Sequence, residues 1–249
     1  MKQHHGRWVA LGTALAVLVG MTTTAGQAAD DFKVEDGYVS LFNGKDLTGW
    51  VYPGAKGKSM DGQTETPDKR IEVKDGIIVV NEKDKDGKGG IKDLYTAKEY
   101  NGNFNVRLEF RAALKADSGL YIRGPQLQVR DFIRRGEQKQ LKNFKDDGWN
   151  ELDITVKGGI ISTTVNGKTV TEKDVLELAV KDGKPTAKLN GQPIDVTSVQ
   201  VSVSNVATCL CNGEALAPKT MSVPAKGGIG LQAETGKFEF RRVRVKELP

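Results

Sequence analysis

Alternation of apolar and polar residues at every second position runs through most of this chain, and one stretch concentrates it. In Asp117-Ser-Gly-Leu-Tyr-Ile-Arg-Gly-Pro-Gln-Leu-Gln-Val-Arg-Asp131, Leu120 and Ile122 fall on one face of a strand and Tyr121 and Arg123 on the other. Gly124-Pro125 breaks the pleat. Beyond it Gln126, Gln128 and Arg130 share one face and Leu127 and Val129 the opposite one. Two amides, two guanidiniums and a phenol on one polar face suit a ligand rich in hydroxyls or carbonyls. The same residues also suit a solvated outer face, and alternation alone favours that reading.

The rest of the chain follows the same period. Tyr38, Leu41 and Phe42 predict an opening strand, Asn43-Gly44 a tight turn, and Leu47 with Trp50 a return to the core. Val51 to Arg70 is rich in Gly, Lys and Thr and reads as a long loop. Ile71 to Val80 forms a hairpin around Asp75-Gly76, Asn81 to Gly90 is a charged connection, and Leu94 to Tyr100 is a short strand or helical turn. From Phe104 the residues Phe104, Val106, Leu108 and Phe110 face inward. Glu109 and Arg111 then point outward, placed to share a polar face with Tyr121 and Arg123.

After a charged connector from Phe132 to Asp147, Trp149 to Val156 is a strand turned by Gly158-Gly159. Leu152–Val156, Leu176–Val180 and Val199–Val203 are each followed by a turn, a second strand and Asn-Gly, at Asn166, Asn190 and Asn212. This repeat predicts three successive hairpins in one antiparallel meander. Pro224 to Gln232 and Phe238 to Val245 are closing strands, the last bulged at Arg241-Arg242 and paired beside the first. The fold class is therefore all-β, an antiparallel β-sandwich with an added hairpin meander. Residues 30–249 form a single domain carrying a hairpin insertion near 172–223.

Composition changes the picture mainly at the N-terminus. Lys2 and Arg7 precede an apolar run from Trp8 to Met21 and small residues at Ala25-Gly-Gln-Ala-Ala29, which reads as a secretory signal peptide cleaved near Ala28 or Ala29. The expected location is periplasmic or secreted, without a membrane span. Both histidines, His4 and His5, lie in that segment, so the mature chain has none. A Ser-His-Asp triad and an imidazole zinc site are excluded. Acid and base work falls to Asp, Glu, Tyr or Lys, and any metal is a hard cation such as Ca²⁺, Mg²⁺ or Mn²⁺ held by oxygen.

The 37 basic residues less Lys2 and Arg7 leave 35 against 32 acidic ones, a net charge of +3. The two signs are interspersed, which argues against a nucleic-acid partner. Cys209 and Cys211 share a strand face, either as a strained disulfide or as two small buried hydrophobes.

The motifs Leu41-Phe-Asn-Gly-Lys-Asp-Leu-Thr-Gly-Trp50, the strand ending at Arg111, Asp117-Ser-Gly-Leu-Tyr-Ile-Arg-Gly124 and Gln126-Leu-Gln-Val-Arg-Asp131 are joined by three more. These are Trp149-Asn150, Val165-Asn-Gly167 and Gly227-Gly-Ile-Gly-Leu-Gln232. Together they resemble the 3-keto-disaccharide hydrolase domain family over nearly the whole chain. The resemblance implies a concanavalin A-like jelly roll and activity on 3-keto-glycosides. A base takes the proton beside the ketone, the anomeric oxygen departs, and hydration follows.

On that resemblance Arg123 is the candidate for the ketone or enolate, and Glu109, Asp117 and Asp131 are candidate bases or metal ligands. Tyr121, Gln126, Gln128 and Arg111 are candidate substrate-binding residues. Gln126 stands where family members commonly have Glu, and an amide cannot act as a base. The alternative function is accordingly a non-catalytic carbohydrate- or cell-surface-binding sandwich. A third reading is a structural module that uses its Asn-Gly hairpins as an interface.

Overall fold

The structure is a computed structural model that describes residues 32–82, 90–171, 173–195 and 197–249. The segment read from sequence as a signal peptide and most of the 81–90 connection lie outside the described residues. The compact unit is Lys33–Pro249. Its first half contains β1 (Val39–Ser40), β2 (Trp50–Tyr52), β3 (Lys58–Ser59), β4 (Ile71–Lys74), β5 (Ile77–Val80), β6 (Lys92–Thr96), β7 (Phe104–Ala112), β8 (Asp117–Ile122), β9 (Gln126–Arg130) and the one-turn helix α1 (Phe132–Arg135). The second half contains β10 (Asn150–Val165), β11 (Lys168–Val170), β12 (Leu176–Lys181), β13 (Lys184–Leu189), β14 (Gln192–Ile194), β15 (Val199–Cys211), β16 (Glu214–Val223), β17 (Ile229–Ala233) and β18 (Phe238–Glu247).

Every pairing between these strands is antiparallel. One sheet runs β16-β15-β10-β7-β18-β5-β4, with β1 on β18 and β11 on β10. A second runs β3-β2-β6-β17-β8-β9, and β12-β13-β14 forms a third. The first two close over one core. From the larger sheet come Phe104, Val106, Leu108, Phe110, Ile154, Phe238 and Phe240, and from the smaller one Trp50, Leu94, Leu120, Ile122, Leu127, Val129 and Leu231. Phe110 stacks on Phe238 with ring centroids 5.6 Å apart. Each such side chain removed from water contributes about 1.5–3 kcal/mol, which is why strict alternation fixes the register of β7. The all-β antiparallel sandwich is the architecture expected from the sequence.

Several details differ from that expectation. Gly158-Gly159 is a bulge inside the uninterrupted β10, because the register against β15 shifts there and Gly159 takes φ +72°. Gly158 is required for close approach: its N–H donates to Asn103 Oδ1 at 2.8 Å, and a Cβ would stand 2.4 Å from Asn205 Oδ1. The first and third expected hairpins are consequently long strands, β10 and β15, paired with each other. The Asn-Gly turns themselves fall where expected, with Asn166, Asn190 and Asn212 at φ +49°, +54° and +48°. They serve two different sheets rather than one meander. The long loop after Val51 contains β3, and Leu94 to Thr96 is strand. β18 is bulged after Arg241, and β1 pairs with it. Cys209 and Cys211 are free and buried, and burial pushes both thiols up to about 12.

Candidate functional site

The smaller of the two main sheets turns Leu120, Ile122, Leu127 and Val129 into the core, so its other face carries the intervening residues. Pairing lines these up in rows. Val51 lies opposite Tyr95, Tyr95 opposite Gly230, Gly230 opposite Tyr121, and Tyr121 opposite Gln126. One step along the strands come Asp93 opposite Gln232 and Gly119 opposite Gln128, and beyond them Asp117 opposite Arg130.

The side chains of this face form one connected array. Tyr95 and Tyr121 stack with centroids 5.4 Å apart and planes 27° from parallel. Gln232 Nε2 donates to the Tyr121 hydroxyl at 2.8 Å, and Gln126 Nε2 donates to Gln232 Oε1 at 2.7 Å. The Gln128 amide lies 2.6 Å from Gln126 Nε2. With its oxygen turned to Arg130, as the fixed donors of a guanidinium require, it accepts from Arg130 Nε at 3.2 Å and donates to the Ser118 carbonyl at 3.2 Å, so that it meets Gln126 as a packing contact and not through a hydrogen bond. Arg130 in turn donates to Asp117 at 2.6 Å and to Glu137 at 2.7 Å.

Two glycines make the array possible. A Cβ on Gly230 would stand 2.8 Å from the Tyr95 ring, and one on Gly119 would stand 2.1 Å from Gln126 Nε2. The result is a layer of two aromatic rings and three amides in which Tyr121, Gln126 and Gln128 are partly exposed, while Tyr95 and Gln232 are almost fully buried.

Asp93 gives this face its acid-base character. Its carboxyl pKa is raised above the ordinary 3.8, chiefly because burial penalises the charged form. The neighbouring Tyr121 phenol acts in the opposite sense, and Asp93 Oδ1 is buried without a hydrogen-bond partner. The Tyr121 phenol is pushed up by burial and by the Asp93 charge, and so stays a neutral donor at physiological pH. Elsewhere the resolved carboxylate shifts run downward, at Glu35, Asp46, Asp61, Asp68, Asp174 and Glu239.

The sequence-predicted residues divide accordingly. Tyr121, Gln126 and Gln128 are brought together, with Asp117 at the end of the same face, where Arg130 and Arg135 hold its carboxylate at 2.6 and 3.1 Å. Glu109 and Arg111 do not share a face with Tyr121 and Arg123, because β7 belongs to the other sheet. There Glu109 pairs with Arg241 and Arg242, and Arg111 pairs with Glu239 and lies 4.8 Å over Trp149.

Arg123 leaves the strand at φ +55° and donates to the carbonyls of Pro224, at 3.3 Å, and Gly102, with its guanidinium 5.0 Å over Phe104. Asp131 is fully buried, accepting from the Lys115 N–H and from Arg134 Nε, each at 2.7 Å. The sequence reading missed Asp93, Tyr95 and Gln232. Gln232 ends the quoted Gly227–Gln232 motif, which was the available signal.

Among the described residues no three His, Cys, Asp or Glu side chains come together to hold a metal ion. Each carboxylate proposed from sequence as a ligand is held by arginine. These residues do not fit a divalent-metal centre.

Comparison with known proteins places this architecture in a family. The model of the 3-keto-alpha-glucoside-1,2-lyase-like domain matches residues 37–246, and the chain belongs to that family. No curated protein matches the chain. Among solved structures, a candidate glycosyl hydrolase from Parabacteroides distasonis ATCC 8503 is similar at 19% identity and TM-score 0.45, over 86% of this chain and 94% of that one. The carbohydrate binding module CBM66 from Bacillus subtilis is similar at 12% identity and TM-score 0.32, over 80% and 96%. A β-1,3-1,4-glucanase derived from a mouse hindgut metagenome shows 14% identity and TM-score 0.31, over 84% and 97%.

Proposed function

We propose that this protein is exported and binds a glycoside on the Tyr95–Tyr121 face, where it cleaves 3-keto-glycosides by elimination and hydration. Family membership supports the substrate class. The observation that carries the chemistry is Asp93, a carboxyl group whose pKa is raised by burial, one pairing step from the neutral Tyr121 phenol and beside the Gln232 and Gln126 amides. Ionised Asp93 removes the proton on the carbon next to the ketone, and the electron pair moves onto the ketone oxygen as an enolate. Tyr121 and the neighbouring amides are the donors available to that oxygen. Collapse of the enolate breaks the anomeric C–O bond, the departing oxygen takes up a proton, and water adds across the new double bond, so the net change is hydrolysis.

The test is incubation of the purified chain with a 3-keto-α-glucoside in D₂O. Release of the leaving alcohol, with deuterium incorporated beside the ketone, is the expected result. Intact substrate, under conditions where the parent glycoside binds, leaves the second reading, a carbohydrate-binding sandwich without cleavage. Gln126 favours that second reading, since an amide occupies the position at which the family commonly carries a carboxylate.

A further inference from the structure

The three-stranded sheet β12-β13-β14 has almost no core of its own. Ala187 is its buried apolar residue, while Leu178 and Val180 are 58% and 76% exposed. A small sheet with its apolar side chains in water is marginal unless another surface joins it. Its two edges are built differently.

The turn at Asn190-Gly191 closes β13 on β14 with Leu189 opposite Gln192. This directs the backbone of Gln192 and Ile194 toward β13 and that of Pro193 outward. Proline has no N–H to offer, so the β14 edge is blunted. On the other edge, Asp182-Gly183 closes a two-residue turn with Lys181 opposite Lys184. The backbone of Glu177, Ala179 and Lys181 then faces β13, and Leu178 and Val180 present free N–H and C=O groups outward. Among the described residues nothing pairs with that edge.

We propose that the β12 edge is an interface for a second copy of this chain, joined by antiparallel pairing about a two-fold axis at Ala179. In that register Glu177 of one copy faces Lys181 of the other, Leu178 faces Val180, and Ala179 faces Ala179. Leu178 and Val180 supply the outward hydrogen-bonding groups, so the two backbones exchange N–H···O=C bonds. Both charge pairs and both apolar pairs are satisfied at once, as an isologous contact requires. Centring the axis on Leu178 instead is also possible for the backbone, but it places Lys181 opposite Val175 and Glu177 opposite Ala179. Charge complementarity therefore selects Ala179. The product is a continuous six-stranded sheet across two copies.

The experiment is sedimentation velocity on the purified full chain across a concentration series, with folding followed by circular dichroism. Wild type is expected at twice the monomer mass. Val180→Pro removes one outward N–H without touching the β12–β13 ladder, and is expected to yield a folded monomer. Lys181→Glu sets like charges opposite each other across the axis and should weaken association about tenfold or more. The exchange E177K/K181E restores both cross-axis pairs and should restore the dimer. A wild-type chain that stays monomeric at every concentration would overturn the proposal, as would a dimer that Val180→Pro and Lys181→Glu leave intact. Association lost in Lys181→Glu and not recovered in the exchange variant would overturn the register at Ala179.

Discussion

Gln126 Nε2 and Gln232 Oε1 are 2.7 Å apart, although 106 residues separate them along the chain. The contact spans β8 and passes over Gly119, where an added Cβ would stand 2.1 Å from the same nitrogen. The obstructing atom is the far end of a flexible side chain, so Gly119→Ala is expected to displace Gln126 rather than unfold the sheet. Losing about 1–1.5 kcal/mol of oriented hydrogen bonding corresponds to roughly a tenfold weaker Kd for glycoside. Calorimetric titration of wild type and variant with one glycoside measures this, with thermal melts confirming that the fold persists.

Gly230 tests the aromatic half of the face. A Cβ there would meet three atoms of the Tyr95 ring at 2.8 to 2.9 Å, and that ring is almost fully buried with little room to move aside. Gly230→Ala is therefore expected to separate Tyr95 from Tyr121 and to cost more stability than Gly119→Ala, about 1–3 kcal/mol by the usual scale for overpacking. Quenching of intrinsic tyrosine fluorescence by added glycoside should fall together with the melting temperature. A variant that binds and melts like wild type would show that the stack is not the platform.

Arg123 was the sequence candidate for the ketone, and its geometry gives a different expectation. The guanidinium joins the carbonyls of Gly102 and Pro224 across the face of Phe104, is 4% exposed, and has its pKa lowered by burial. Arg123→Ala leaves two carbonyls without this donor and opens space beside Phe104. It should destabilise the fold by about 2–4 kcal/mol, read as a shift in the urea midpoint. Glycoside affinity measured well below the melting temperature should change little.

The sandwich was legible because alternation is a local signal: Phe104 to Phe110 must face inward whatever strand lies alongside. Partner identity is not local. Nothing in the sequence of β7 states that it pairs with β10 and β18 rather than with β8, so Glu109 and Arg111 were assigned to a face on the wrong sheet. Gly158-Gly159 failed for a related reason. A glycine pair serves a turn and a bulge equally, and only the tertiary contact to Asn103 and Asn205 distinguishes them. Tyr121, Gln126 and Gln128 were found because they lie on adjacent strands joined by a short turn. Asp93, Tyr95 and Gln232 arrive from distant parts of the chain.

Asp93 joins stability to chemistry, and the two respond to pH in opposite directions. Its folded pKa is raised above the ordinary 3.8, so the folded state holds its proton more tightly than the unfolded chain does. Between the unfolded and folded pKa values the native state binds more protons, and stability falls as pH rises through that window. Above the folded value the whole penalty is present. Asp93→Asn removes the charge while keeping the shape, so the variant should be more stable than wild type at neutral pH. The two should converge as pH drops below about 4, the range of an ordinary aspartate. Activity runs the other way. If ionised Asp93 is the base, kcat/KM on a 3-keto-glycoside rises with pH through the raised pKa, and the asparagine variant loses about 10²- to 10⁴-fold. Denaturant titrations and turnover measured over one pH series check both halves together. A variant that is more stable yet equally active would separate Asp93 from the mechanism and leave the tyrosine–amide face as a binding surface alone.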